Sequence, residues 1–204
     1  MSLRKEDSDA RQSGLGRTSG SRIVADRQII KEQEIPASAK ESGLRFRLER
    51  WRRPKPDELE LLAAYDTDAF GETGLRSYDF GVVARAGGLF VATVDEAVAG
   101  CCQLVRTYED AELFWIVGFW VRPKWQGRGL GKAFLEEVIR LLPEARGRGL
   151  VLTVSPANLP ARRLYAALGF REVERVEGFY GPGEDRLVLE FELTDGWGAA
   201  SAGE

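Results

Sequence analysis

The hydrophobic pattern along the chain marks out a series of elements between residues 44 and 194. Leu44-Arg45-Phe46-Arg47-Leu48-Glu49-Arg50-Trp51 mostly alternates apolar and charged residues, the pattern of a half-buried strand, and Pro54 and Pro56 end it. Asp57 is then expected to cap a helix whose inner face carries Leu61, Leu62, Tyr65 and Ala69. Residues 75–86 read as a second, weaker helix broken by Gly87-Gly88. Strands follow at Leu89–Val94, Ala97–Arg106 and Leu113–Val121. The last is nearly unbroken in apolarity, as in a central strand covered on both faces. A glycine-rich loop leads into a helix from about Gly129 to Leu142 with Leu130, Phe134, Val138 and Leu141 on one stripe; Glu136 and Arg140 are spaced to pair on its wet face.

Leu150–Val154 is a short buried strand. Asn158 is placed to cap a helix with Pro160 in its first turn, Gly169 past its end, and Ala161, Leu164, Tyr165 and Leu168 on a common face. Phe170–Phe179 and Arg186–Leu193 close the series as strands. The expected order is β-α-α-β-β-β-α-β-α-β-β, an α/β fold with a mixed central sheet and helices on both faces. Residues 1–43, rich in Ser, Gly, Arg, Asp and Gln, are expected to be a flexible extension that the Ile23-Val24 and Ile29-Ile30 pairs can anchor. Residues 195–204 are expected to be a loose tail.

Composition narrows the chemistry. Of 204 residues, 29 are basic and 32 acidic, a net charge of −3, which argues against a protein living mainly on nucleic-acid phosphates. There is no histidine, so imidazole bases, Ser-His-Asp catalysis and His-bearing zinc sites are excluded. Cys101 and Cys102 are the only cysteines. Adjacent in sequence, they are poorly placed for a structural disulfide and too few for a four-cysteine zinc site, so no metal is expected and the pair reads as packing in a reducing cytoplasm. The longest apolar run, Leu113 to Val121, is half of what a membrane-spanning helix needs, and no early apolar stretch marks a signal peptide. The expectation is a soluble cytoplasmic protein, monomer or homodimer, with no nucleic-acid or membrane partner.

The chemistry concentrates in Val121-Arg122-Pro123-Lys124-Trp125-Gln126-Gly127-Arg128-Gly129-Leu130-Gly131-Lys132, where a buried strand runs into a glycine-rich turn that opens a helix. A helix start offers unpaired N–H groups and the positive end of the dipole, and glycines let a ligand approach the backbone. With four basic side chains and no acid, the segment reads as a phosphate cradle. It is neither a P-loop, since Gln126 occupies the first glycine and Ala133 follows the lysine, nor a dinucleotide motif, which requires Gly or Ala at Lys132.

Gln126-x-x-Gly129-x-Gly131 at this place resembles the pyrophosphate signature of the GNAT superfamily of acetyl-CoA-dependent N-acetyltransferases. The segment Asn158-Leu159-Pro160-Ala161-Arg162-Arg163-Leu164-Tyr165-Ala166-Ala167-Leu168-Gly169-Phe170 is similar to that family's Asn…Ala…Leu-Tyr…Leu-Gly-Phe helix. The resemblance spans roughly residues 44–194. Phe179-Tyr180-Gly181-Pro182-Gly183-Glu184-Asp185 resembles the ribosomal-protein-type N-terminal alanine acetyltransferase branch.

The resemblance implies that backbone groups of Phe119 and Val121 pair with the pantetheine arm. It also implies that Gln126, Gly127, Arg128, Gly129, Leu130, Gly131 and Lys132 hold the pyrophosphate and that Asn158 hydrogen-bonds the cofactor. Tyr165 would protonate the departing thiolate, and a backbone N–H of the strand would steady the oxyanion. The branch's general-base Glu is Thr153 here. Glu112, Glu184 and Asp185 are acids able to act through water, although each also reads as a surface charge. A peptide α-amine near pKa ~7.7–8.0 tolerates the lack of a dedicated base better than a lysine amine near ~10.4. The implied function is acetyl transfer from acetyl-CoA to a primary amine by direct attack, the acceptor being a protein N-terminus. The alternatives are a small-molecule amine (polyamine, amino acid or antibiotic) and an acyl-CoA-binding regulatory module without turnover. The basic cluster Arg45, Arg47, Arg50, Arg52, Arg53 and Lys55 reads as a wet strand face or as a contact for acidic groups.

Overall fold

A computed structural model describes residues 26–35, 44–194 and 197. Its strands are β1 (Arg27–Ile35), β2 (Leu44–Trp51), β3 (Gly88–Val94), β4 (Ala97–Arg106), β5 (Leu113–Val121), β6 (Gly149–Val154), β7 (Arg171–Val176) and β8 (Arg186–Glu192). They form one sheet ordered β1-β2-β3-β4-β5-β6-β8-β7, in which β5 and β6 are the parallel neighbours and the other pairs are antiparallel. The helices are α1 (Pro56–Phe70), α2 (Ser77–Ala86), α3 (Leu130–Arg140) and α4 (Leu159–Ala167).

Two apolar cores flank the sheet. Leu62 of α1 and Phe80, Val83 and Ala84 of α2 pack with Leu89, Val91, Cys101 and Trp120 on one face. Phe134, Leu135, Val138 and Ile139 of α3 and Tyr165 of α4 pack with Phe46, Leu48, Phe90 and Cys102 on the other. Cys101 and Cys102 are free, buried and on opposite faces, as strand alternation requires. No helix among the described residues is long and apolar enough to cross a membrane.

Four details depart from the sequence reading. The order gains a first strand, β-β-α-α-β-β-β-α-β-α-β-β, because Arg27–Ile35 lies inside the segment expected to be flexible. Its register pairs opposite charges across the ladder, Glu32 facing Arg47 and Glu34 facing Arg45. Helix α1 starts at Pro56, not after Asp57; proline is pre-organised for the first helical position, and the Glu58 carboxylate accepts the Lys55 N–H at 2.8 Å. On α3, Arg140 pairs with Glu137 and Glu136 with Lys132, not with each other, because Glu137 is buried and also meets Lys31 of β1. Finally, Trp197, in the stretch read as a loose tail, packs edge-on against Phe191.

Candidate active site

The sheet opens in its middle. β5 and β6 pair only from Leu113 to Trp115 against Gly149 to Val151. Beyond that, Ile116–Val121 keeps β4 alone as a neighbour and Leu152–Val154 keeps β8 alone. Both strands run toward the open end and both lead into helix starts, α3 after β5 and α4 after β6. The C-terminal edges of parallel strands are where α/β sheets present ligand sites. Burial along β5 follows from the parting: Phe119 and Val121 are only half-buried and Val117 is exposed, although the strand is central. The register against β4 also slips here. Gln103 faces Gly118 and Leu104 faces Ile116, so Val117 bulges out without a partner.

The loop after β5 is built for close approach. Gly127 and Gly129 have φ of +72° and +81°, the left-handed region that glycine enters without strain. A Cβ on Gly127 would meet nothing within 4 Å, so the loop there faces open space. Gly129 is the N-cap of α3, and Ala133 is the first residue whose N–H closes onto its carbonyl, at 3.1 Å. The amides of Leu130, Gly131 and Lys132 therefore lie in the helix's unclosed first turn, at the positive end of its dipole. A Cβ on Gly131 would stand 3.4 Å from Leu164 Cδ2, 3.7 Å from Val121 Cγ2 and 3.9 Å from Phe119 Cζ. Phe119, Val121 and Leu164 thus surround Gly131 where the start of α3 meets β5 and α4. The residues fit a diphosphate followed by a slender apolar-walled arm.

Other expected residues take positions of their own. The Gln126 side chain turns back, donating Nε2 to the Val121 carbonyl at 2.7 Å, and so fastens the loop to the end of β5. Arg122 lies over the Tyr65 ring at 4.0 Å, Lys124 and Arg128 over the Trp125 ring at 4.6 and 5.6 Å, and Lys132 meets Glu136 at 3.8 Å. Asn158 caps α4, its Oδ1 accepting the Ala161 N–H at 3.2 Å. Tyr165 turns toward the sheet and packs against Phe170 at 5.5 Å between ring centres. Burial pushes its phenol well above the usual tyrosine range, with Cys102 acting in the same direction.

Thr153, half-buried on β6, lies 3.2 Å from the Tyr180 hydroxyl. The three acids considered as bases are engaged elsewhere. Glu112 meets Arg148 at 3.9 Å and Glu184 meets Arg186 at 2.8 Å. Asp185 accepts the Gly178 N–H and an Arg175 contact, which hold its carboxyl below the usual range. Sequence reading missed Asp66, a carboxylate only 1% exposed in α1. It accepts from Leu75 N–H at 2.7 Å, Trp120 Nε1 at 2.7 Å and Gln103 Nε2 at 3.2 Å. Burial raises its pKa against the pull of those three donors. Its signal in the sequence was an acid interrupting the apolar stripe of α1 next to Tyr65.

The chain is 34% identical over 78 residues to an aminoglycoside N(6')-acetyltransferase type 1 of Stenotrophomonas maltophilia, covering 38% of this chain and 51% of that protein. It is 32% identical over 108 residues to the [ribosomal protein bS18]-alanine N-acetyltransferase of Salmonella typhimurium, covering 50% and 69%. The chain spans about half the length of most of the curated relatives it matches. Among solved structures, Arabidopsis thaliana NAA60 in complex with a bisubstrate analogue superposes with a TM-score of 0.60 at 26% identity, covering 73% of this chain and 98% of that one. Residues 45–170, more than half of the sequence, match the Acetyltransferase (GNAT) family, and the chain belongs to it.

Proposed function

We propose that this chain transfers the acetyl group of acetyl-CoA to a primary amine, and that the acceptor is an α-amine such as a protein N-terminus. One observation carries the reading: the parting of β5 from β6 ends against the unclosed first turn of α3. That arrangement offers amides of Gly127–Lys132 for a diphosphate and free backbone of β5 for an extended pantetheine arm. Gln126 holds the loop in place, and Asn158 presents its side-chain NH2 from the start of α4. The catalytic unit is residues 44–194 with β1 added at the sheet edge.

The neutral amine attacks the thioester carbonyl, forming the amide C–N bond. A backbone N–H at the Val117 bulge steadies the oxygen as its charge grows. The C–S bond breaks, and Tyr165, whose phenol is protonated at neutral pH, gives its proton to the sulfur. The proton lost by nitrogen passes to solvent and the phenol is reprotonated. No carboxylate stands at the Thr153 position, so the amine must arrive already neutral. That favours an α-amine over a lysine.

Release of CoA thiol with a panel of alanine-starting peptides, polyamines and an aminoglycoside tests the proposal. Turnover confined to the peptides supports it, and turnover confined to the small amines reassigns the acceptor. Tight CoA binding without turnover for any amine would make the chain a binding module.

A further inference from the structure

The buried cluster Asp66, Gln103 and Trp120 plays no part in the steps above, yet it lies directly against the strand that performs them. Gln103 is fully buried on β4 as the ladder partner of Gly118. The ionised Asp66 is an acceptor only, so the Gln103 NH2 faces it, Nε2 lying at 3.2 Å. The amide oxygen is thereby turned toward β5, where Oε1 has no hydrogen-bond partner. It sits 2.5 Å from where a Cβ on Gly118 would stand. The Gln103 side chain thus fills the place of the missing side chain at 118. One residue earlier in β5, Val117 bulges out on the edge that β6 has left.

An apolar side chain would fill this place without burying an unsatisfied oxygen, which is destabilising. What an amide adds is a fixed orientation, because Asp66 holds its far end. Asp66 is held in turn by Trp120, two residues along β5 from Gly118, and by the Leu75 N–H of the α1–α2 connection. Phe70, at the end of α1, reaches the same spot, its Cε2 3.4 Å from the Gly118 Cβ position.

We propose that Gln103 and Asp66 are positioning residues for acetyl transfer: they set the height of Gly118, and so aim the Val117 bulge N–H at the thioester carbonyl. The proposal rests on the acetyl-transfer reading. Small displacements of such a donor lower the rate of the chemical step far more than they weaken cofactor binding.

The test compares the parent with Gln103→Leu and Gly118→Ala, the second disturbing the same contact from the other side should the first fail to fold. Calorimetry gives acetyl-CoA affinity. Infrared spectroscopy of bound acetyl-CoA labelled with 13C at the carbonyl gives its stretching frequency without needing an acceptor. Thiol release with an alanine-starting peptide gives kcat and KM. The expected result is a lowered stretching frequency in the parent that returns toward the free value in both variants. Acetyl-CoA affinity should change by less than about threefold, and kcat should fall by about tenfold or more. Variants that keep both the parental frequency and kcat would overturn the proposal. So would a parent that binds acetyl-CoA with its stretch unshifted, while leaving the acetyl-transfer reading standing. A parent that binds no acetyl-CoA would overturn that reading itself.

Discussion

The glycines of the proposed cradle should separate folding from binding, and alanine substitution at each makes the separation measurable. Gly127 has positive φ and open space around it, so Gly127→Ala meets only backbone strain. That strain is about 1–2 kcal/mol, partly offset by about 0.4–1 kcal/mol from restricting the unfolded chain. Gly129→Ala meets the same strain and also brings its Cβ to 3.3 Å from Ile35 Cγ2, so it should lose more stability. Gly131 is different. It lies in the first turn of α3 without positive φ, and its Cβ would meet Leu164 at an ordinary 3.4 Å. Alanine there should be neutral or stabilising by about 0.5–1 kcal/mol. Alanine keeps the N–H, but its Cβ, beside Phe119, Val121 and Leu164, narrows the approach to the amides of this turn. Crowding a diphosphate off one charge-assisted hydrogen bond costs about 1.5–3 kcal/mol, roughly a ten- to 150-fold loss of affinity. Thermal unfolding and CoA calorimetry on the three variants check this. A Gly131→Ala protein as stable as the parent with unchanged CoA affinity would refute the cradle.

Other expectations concern single groups. Tyr165→Phe should leave CoA affinity nearly unchanged and lower kcat by about 100-fold or more in thiol release, the range of a lost general acid; a parental kcat would remove Tyr165 from the mechanism. Burial raises the Asp66 pKa, so Asp66 contributes most to stability below the ordinary carboxylate range, and that contribution fades as pH rises from about 4. The stability difference between Asp66→Asn and the parent should therefore move in the variant's favour over that rise in denaturant melts, and a flat difference would contradict it. Asp110 and Asp185 have lowered pKa values and lose stability as pH falls, but they are common to both proteins and cancel. Finally, kcat/KM for an alanine-starting peptide should rise with pH and level off near its α-amine pKa of about 8. A rate still climbing tenfold per unit at pH 9 would point to an acceptor amine of higher pKa.

Legibility in the sequence followed local chemistry. Helix α3 was readable because its apolar residues keep helical spacing and its loop concentrates glycine and positive charge. Helix α4 was readable because Asn158 and Pro160 mark its start. What escaped was set by partners distant in sequence. Arg27–Ile35 carries too little apolar character to read as a strand, and its complement, the basic run of β2, follows only after an intervening segment. Only the antiparallel register shows that Glu32 and Glu34 answer Arg47 and Arg45. The parting of β5 and β6 is likewise invisible, since nothing in Ile116–Val121 distinguishes a strand that loses its neighbour from one that keeps it. Asp66 was hidden for the same reason, its three donors coming from the α1–α2 connection, β4 and β5.

The added strand also changes what the basic cluster means. Arg47 bonds Glu32 at 2.7 Å, Arg53 lies 3.9 Å from Asp26, and Arg52 donates to Gln28 at 3.0 Å. Arg47 and Arg52 are therefore engaged within the fold by β1. Exposed pairs of this kind contribute little, so they choose the register more than they hold the strand. The hold comes from the backbone ladder along Arg27–Ile35 and from Ile30 and Ile35, which pack on the core beside α3. Ile35 ends that strand against Gly129, the residue from which the α3 amides project. A side chain at Gly129 is thus disfavoured twice, by its backbone angle and by the Ile35 methyl beside it. The sequence outside the matched family segment thus helps to shape the loop proposed to bind the cofactor.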